Sequence, residues 1–314
     1  MVFPQYKKNL MGCLLPPRGR LEANVILSKS TWFRVGGPAE VMFWPADVDD
    51  LAVFLENKPD DVPVTVIGTG SNLMVRDGGI PGVVIRLGKL FEGVSINDTE
   101  IWVSGGMSNL KLANIARKYG IAGFEFLCGI PGTVGGSIRM NSGAYGYEIK
   151  DILQSATAIN KKGSLIDLSV SDLKYSYRNS GVGKDLIFIG GFFSGSPSST
   201  IKIENRMKYI RKERKFTQPI KTSTGGSTFI NPPGYKAWEL IDAAGCRGLT
   251  IGGAVVSMKH CNFLINQGSA TASDLENLGE KIRHRVYENS GINLEWEIQR
   301  IGVRIENNSG ELSS

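Results

Sequence analysis

Histidine is almost missing from this chain: only His260 and His284 occur among 314 residues. That scarcity excludes a histidine-rich metal centre and leaves few candidates for a histidine-based nucleophilic triad. Cysteine is sparse too. Cys13, Cys128, Cys246 and Cys261 stand far apart and form no CxxC pair, so neither a zinc site nor a disulfide scaffold is expected and the thiols read as reduced packing residues. No apolar run approaches the ~20 residues of a membrane-crossing helix, and prolines interrupt the apolar patch within residues 1–20, so no signal-peptide core is read there. A cytoplasmic chain is the expectation. A strong excess of one charge is also lacking. The 36 Lys and Arg against 30 Asp and Glu leave a formal net charge of +6, which suits an anionic small molecule but is too scattered for a nucleic-acid surface. With so few nucleophilic or metal-binding groups, reactivity borrowed from an organic cofactor is expected.

Glycine is what the chain has in excess, with 39 residues. The densest stretch is GIPGTVGGSIRMNSGAYG, Gly129 to Gly146. Ordering glycine is costly, so such a run implies sharp turns or close backbone approach to something, and free N–H groups in it can cradle a diphosphate. A chain of tight turns is the plainer alternative. A second glycine-rich turn, Gly68 to Asn72, follows the strand pattern VTVI at 64–67. Leu73 stands where a dinucleotide fingerprint needs its third glycine, and no capped helix follows, which argues against a doubly wound nicotinamide-binding domain.

Hydrophobic periodicity supplies the frame. Residues 30–44 read as a strand, a Gly36-Gly37 turn and a second strand. Asp47 is placed to cap a helix from Val48, with Asp50 at capping-box spacing; DGG at 77–79 reads as a hairpin turn before a strand over 83–87. Ser108 is placed to cap a helix that turns Leu112, Ile115, Ala116 and Tyr119 to one face and stops at Gly120. Runs at 151–158 and 186–193 read as strands, and Lys174 to Asn179 as an extended segment with Arg178 opposite Tyr177. A charge-rich helix over 200–215 is expected to link to a last domain. There, a short helix over 235–244 turns Trp238, Ile241 and Ala244 inward, and a long helix is expected from a Ser273 cap with Glu276 at the box position. Ile292, Leu294, Trp296 and Ile298 then alternate as a half-buried strand.

These stretches carry a resemblance. TWFRVGGPA, VIGTGSNLMVRDGG, GIPGTVGGSIRMNSGAYG, YSYRNS, GGSTFINP, LIDAAGCRGLTIGGAVVS with HCNF, and LEWEIQRIG occur in order over Ser30 to Gly302. Together they resemble the bacterial cell-wall family of UDP-N-acetylenolpyruvoylglucosamine reductases, in its shorter subclass without an extra tyrosine-bearing loop. The resemblance implies an α+β chain: a vanillyl-alcohol-oxidase-type FAD-binding region in two parts (1–90 and 91–205), a C-terminal α+β substrate-binding domain (206–302) and a mobile tail (303–314).

It also implies an activity, the NADPH-dependent, FAD-mediated reduction of UDP-N-acetylglucosamine enolpyruvate to UDP-N-acetylmuramate for peptidoglycan synthesis. A monomer that binds neither nucleic acid nor membrane is expected. FAD is then expected across Gly68, Thr69, Gly70, Ser71 and Asn72, and across Gly129, Pro131, Gly132, Thr133, Gly135, Gly136, Ser137, Asn141, Gly143 and Ala144. Arg178 matches the arginine that stabilises developing charge, Ser227 the proton-donating serine and Glu297 the catalytic glutamate. Tyr177 and Asn231 lie beside these positions as substrate-recognition candidates. Ile230 stands where relatives commonly carry a basic residue, so pyrophosphate contacts are sought at Lys221, Tyr235 or Lys236; Cys261 replaces a small residue. Cys128 is the thiol expected nearest the cofactor, His260 is assigned to the core or the flavin edge, and His284 to the surface. The other readings of the same chain are a different flavin oxidase and a noncatalytic nucleotide-sugar binder.

Overall fold

The computed structural model describes residues 10–305. Its first region is a four-stranded sheet in the spatial order Arg20–Ile26, Pro38–Trp44, Ile80–Arg86, Val64–Ile67; the first pair is antiparallel and the others parallel. A single turn, α1 (Leu10–Cys13), and helix α2 (Val48–Asn57) pack against it through Leu10, Leu51, Phe54 and Leu55, which meet Val41, Phe43, Val83 and Ile85 in one core. Asp47 caps α2 by accepting the Asp50 N–H at 2.9 Å. Asp50 does not return the bond. Its buried carboxylate accepts the N–H groups of Arg18, Gly19 and Ala46 at 2.8–2.9 Å, fixing the chain that leads into the first strand. The strand expected from residue 30 is absent: Leu27–Ser30 is a 3-10 turn, and the following loop sends Phe33 and Val35 into the C-terminal core instead. The DGG segment is no hairpin either, because Leu73–Val75 pairs with Gln299–Ile301 and not with the strand that follows it.

The second region is an antiparallel five-stranded sheet, Leu165–Ser169, Leu153–Ile159, Ile187–Ser194, Glu100–Ser104, Val94–Asn97. Helix α3 (Asn109–Lys118) starts at the Ser108 cap, and Gly120, with φ +70°, turns the chain away. Leu112, Ala113 and Ala116 are buried, while Tyr119, expected inward, is 58% exposed. The densest glycine stretch, read as a loop, contains helix α4 (Val134–Met140), capped by Thr133 and ended by Asn141 in the left-handed conformation. Burial outweighs the low helix propensity of Gly135 and Gly136. A Cβ at Gly135 would stand 2.7 Å from the Phe188 carbonyl oxygen, so only glycine lets α4 lie against the sheet.

Helix α5 (Thr200–Thr217) buries Ile203, Met207 and Ile210 in this same core beside Leu112 and Cys128. The expected start of the last domain at 206 thus falls inside a helix whose residues up to Ile210 pack in the second region.

The C-terminal region holds helix α6 (Ala237–Ala243), the small sheet Thr250–Ile251, Ala254–Val256, Leu264–Asn266, and helix α7 (Ala272–Ser290). In α6, Ala237 and Ile241 are buried, and Trp238 is 38% exposed rather than inward. Thr271 caps α7, and the box partner is Asp274, not the expected Ser273 and Glu276. Glu276 lies inside, where Arg76, Arg300 and Arg304 reach it at 2.9, 3.3 and 3.2 Å. Asp77 accepts the N–H groups of Ala272 and Ser273, both at 2.9 Å. First and last regions are thus fastened by a strand pair, a cap and a buried ion cluster. Residues 292–298 bury Leu294 and Ile298 without forming the expected strand; a bridge between Phe229 and Trp296 is their sheet-like pairing. Residues 306–314 of the expected mobile tail lie outside the described residues. No helix among the described residues is long and apolar enough to cross a membrane.

Candidate active site

Arg178 sits in a tight turn of the second region, not in an extended segment. Lys174 and Arg178 both have positive φ (44° and 57°), and Ser176 pairs with Asn179 across the turn. This geometry folds the guanidinium over the Tyr177 ring, 4.6 Å from its centroid, where the sequence placed the two side chains on opposite faces. Arg178 Nη2 donates to the Gly143 carbonyl at 2.8 Å, and Nε donates to Glu297 Oε1 at 3.1 Å. Nη1 faces Glu148 Oε1 at 3.6 Å and, although buried, makes no hydrogen bond.

Glu297 reaches this arginine from the C-terminal region. Its backbone is held on both sides: the Glu297 N–H donates to the Thr228 carbonyl at 2.9 Å, and the Asn72 side chain donates to the Glu297 carbonyl at 3.2 Å. Burial pushes the Glu297 carboxyl above its ordinary range, and Arg178 pulls it back only in part. The carboxyl is therefore biased toward holding a proton. Ser227 precedes Thr228 on the strand-like segment that runs beside residues 295–297, with Ile230 N–H donating to the Glu295 carbonyl at 2.9 Å. The Ser227 hydroxyl is partly exposed and bonds to no described residue.

Sequence reasoning missed what holds this segment. Buried Asn262 accepts the Phe229 N–H at 2.9 Å and donates to the Phe229 carbonyl at 2.8 Å, while its own carbonyl accepts the Thr228 N–H. An asparagine after His260 in HCNF was the available signal, but nothing local distinguishes a backbone clamp from a surface amide.

The two glycine stretches meet. Ser71 Oγ donates to the Pro131 carbonyl at 3.0 Å, and a Cβ on Gly68 would stand 2.9 Å from Thr133 Oγ1. Gly70, at φ +69°, brings its carbonyl to the Trp32 N–H at 3.1 Å. The Thr69 hydroxyl is buried with no partner, the condition expected of a group that awaits a ligand acceptor. Gly132, Thr133 and Gly136 remain accessible beside it.

Other expected cofactor residues have work inside the protein. Gly135 supports helix packing. Ser137 exchanges hydrogen bonds with buried Asn109. Asn141, fully buried, donates to Glu148 Oε2 and the Ser176 carbonyl and accepts the Lys150 N–H. Gly129 packs against the Tyr145 ring and Gly143 against Glu148 and Arg178; Ala144 pairs with Tyr147.

Of the substrate candidates, Tyr177 (46% exposed) lies against Arg178, while Lys221, Tyr235 and Lys236 are exposed on the C-terminal region. Asn231 accepts the Ala237 N–H at 2.9 Å and so holds the start of α6. Cys128, expected near the cofactor, points its thiol at the Met207 carbonyl within the core, and burial raises its pKa. His260 packs edge-on to Phe263 at 4.8 Å between centroids, and His284 is exposed beside Glu288. All four cysteines are free thiols, and no cluster of metal-ligating side chains occurs among the described residues.

Comparison with known proteins matches two separate stretches of the chain. Residues 39–169 match an FAD-binding domain, and residues 218–301 match the C-terminal domain of UDP-N-acetylenolpyruvoylglucosamine reductase. The UDP-N-acetylenolpyruvoylglucosamine reductase of Parvibaculum lavamentivorans is 55% identical over 289 residues, 92% of this chain and 93% of that one. That of Azorhizobium caulinodans is 52% identical over 301 residues, 96% and 98% of the two chains. The crystal structure of UDP-N-acetylenolpyruvylglucosamine reductase from Thermus caldophilus superposes with a TM-score of 0.79 at 33% identity, over 90% of this chain and all of that one.

Proposed function

This chain belongs to the UDP-N-acetylenolpyruvoylglucosamine reductase family, and from that premise we propose that it reduces UDP-N-acetylglucosamine enolpyruvate to UDP-N-acetylmuramate, with FAD as resident cofactor and NADPH as reductant. The observation that carries the reading is the meeting of Arg178 from one region with Glu297 from another, whose carboxyl burial raises, on a segment hydrogen-bonded to the one that bears Ser227.

The residues present fit FAD. The half-buried turn from Gly68 to Asn72, with its unpartnered Thr69 hydroxyl, and the adjoining, accessible Gly132, Thr133 and Gly136 would hold the diphosphate. When bound, FAD carries a hydride from NADPH to the substrate alkene, chemistry that no side chain here supplies. The protein controls position and charge. Arg178, fixed by Gly143 and Glu297, offers a preorganised cation to the substrate carboxylate and to the negative charge that develops beside it. Ser227, its hydroxyl free of described partners, donates the proton to the adjacent carbon. A serine is a weak acid, so the proton needs a source. Glu297, which burial biases toward its protonated form, would replenish it.

Tyr177 borders the arginine and would shape the enolpyruvyl subsite. Lys221, Tyr235 and Lys236 would meet the diphosphate in place of the basic side chain that Ile230 replaces, and Asn231 supports them by holding α6.

Product analysis in D2O tests the reading. Anaerobic turnover with unlabelled NADPH is expected to give UDP-N-acetylmuramate carrying solvent deuterium at the lactyl methine, the carbon protonated by Ser227. NADPH-dependent flavin bleaching without that product would contradict the proposal.

A further inference from the structure

Arg178 has a second carboxylate beside it that the reaction does not require. Glu148 stands on the small hairpin formed by Gly143–Ala144 and Tyr147–Glu148. Its carboxylate is restrained from several directions. Oε2 accepts from the buried Asn141 side chain at 3.0 Å and pairs with Lys150 Nζ at 2.8 Å, and the side chain also accepts the Asp151 N–H. The Asp151 carboxylate in turn accepts the Glu148 N–H at 2.7 Å. Oε1 remains aimed at Arg178 Nη1 at 3.6 Å. Asn141 also donates to the Ser176 carbonyl, so one buried amide ties the turn that bears Arg178 to the carboxylate facing it. Gly143 completes the fit. A Cβ there would lie 2.7 Å from Glu148 Cγ and 3.0 Å from Arg178 Nη1, so this glycine makes room for the arginine.

We propose that Glu148 is a positioning residue for Arg178: the Asn141–Gly143–Glu148 hairpin holds the guanidinium in the orientation that receives the substrate carboxylate. Glu297 and Glu148 divide the arginine between them. Glu297 is the partner delivered by the C-terminal region, whereas Glu148 belongs to the same region as Arg178 and keeps the cation aligned independently of that region. The inference rests on the function proposed above.

The test compares two ligands on FAD-loaded enzyme by calorimetry. UDP-N-acetylmuramate carries the lactyl carboxylate that meets Arg178; UDP lacks it. In Glu148→Gln, UDP-N-acetylmuramate is expected to bind about tenfold more weakly, a loss of ~1.4 kcal/mol, while UDP binds as to the parent. KM for the enolpyruvyl substrate should rise, with the rate of flavin reduction by NADPH unchanged. Gly143→Ala, which displaces the same guanidinium sterically, should reproduce the selective loss. Equal weakening of both ligands would reduce Glu148 to a structural role, and unchanged binding of both would also overturn the inference. Failure of the parent enzyme itself to bind UDP-N-acetylmuramate would instead contradict the underlying function.

Discussion

Glu276 and Glu297 lie twenty-one positions apart in the same C-terminal region, and both are withdrawn from water, yet their surroundings drive them in opposite directions. The Glu276 side chain is 3% exposed and its carboxyl is held down to about 2, first by the hydrogen bonds from Arg76, with Arg304 adding to them. The Glu297 side chain is 18% exposed, and burial pushes its carboxyl up by more than the single arginine beside it pulls it down. Burial raises both carboxyls; at Glu276 the arginines outweigh it, and at Glu297 it outweighs the single arginine, so the balance of burial against positive charge sets ionisation. Where arginines are in excess, the glutamate is locked as an anion and fastens two regions. Where a single arginine faces a buried glutamate, the carboxyl is shifted toward its protonated form, a perturbation that suits chemistry.

Neutralising each glutamate should separate the two roles. Glu297→Gln is expected to slow substrate-driven flavin reoxidation by ~10³-fold, the scale of a lost acid–base group, with NADPH-driven reduction unchanged; single-turnover absorbance would show it. Arg178→Lys keeps the charge but loses the forked donors to Gly143 and Glu297, and a loss of ~10²-fold in the same half-reaction is expected. Glu276→Gln should act on the other quantity. Leaving arginines around a neutral amide is expected to lower unfolding free energy by about 3 kcal/mol, measured in urea, with kcat per folded molecule nearly intact.

Acid and alkaline titration sharpen the contrast further. Glu276 has a lowered carboxyl, so its contribution to stability is present above the ordinary value of 4.5 and is lost as pH falls toward about 2. Glu276→Gln should flatten the stability profile in that window. Glu297 has a raised carboxyl, so its contribution is complete below 4.5 and is lost as pH rises through its folded value. Glu297→Gln should therefore remove a decline that begins above 4.5 and leave the protein slightly more stable beyond it than the parent. Thermal midpoints across the pH range check both signs. Hydroxyls offer the smallest version of the comparison. Ser137 is fully partnered, whereas Thr69 is not; Thr69→Val should weaken FAD binding by about tenfold without lowering the stability of the FAD-free protein.

The sequence made some of this legible and hid the rest for physical reasons. Helix α2 and the apolar face of α7 were readable because caps and 3.6-residue periodicity are local. The cap of α7 was not, since Ser273 with Glu276 and Thr271 with Asp274 have the same spacing. Three arginines distant in sequence decided between them by drawing Glu276 inward. The Arg178 turn was read as extended because a positive φ on arginine is imposed by tertiary contacts, here the Gly143 carbonyl and Glu297.

The segment from Gly129 to Gly146 drew attention for the right reason, close approach, but glycine content does not say what approaches. At Gly135 it is the neighbouring sheet, at Gly143 it is Arg178, and Gly132 alone among these three stays open to a ligand. The catalytic roles proposed for Arg178, Ser227 and Glu297 came from family resemblance; their spacing of 49 and 70 residues carries no local pattern.

The most direct test of the account is an anaerobic stopped-flow record of FAD-loaded parent and Glu297→Gln enzymes, reduced by NADPH and then mixed with UDP-N-acetylglucosamine enolpyruvate. Equal bleaching by NADPH, with rapid recovery of flavin absorbance in the parent and strongly retarded recovery in the variant, is the expected result. Recovery at the same rate in both would remove Glu297 from the chemistry and contradict the account of the cleft.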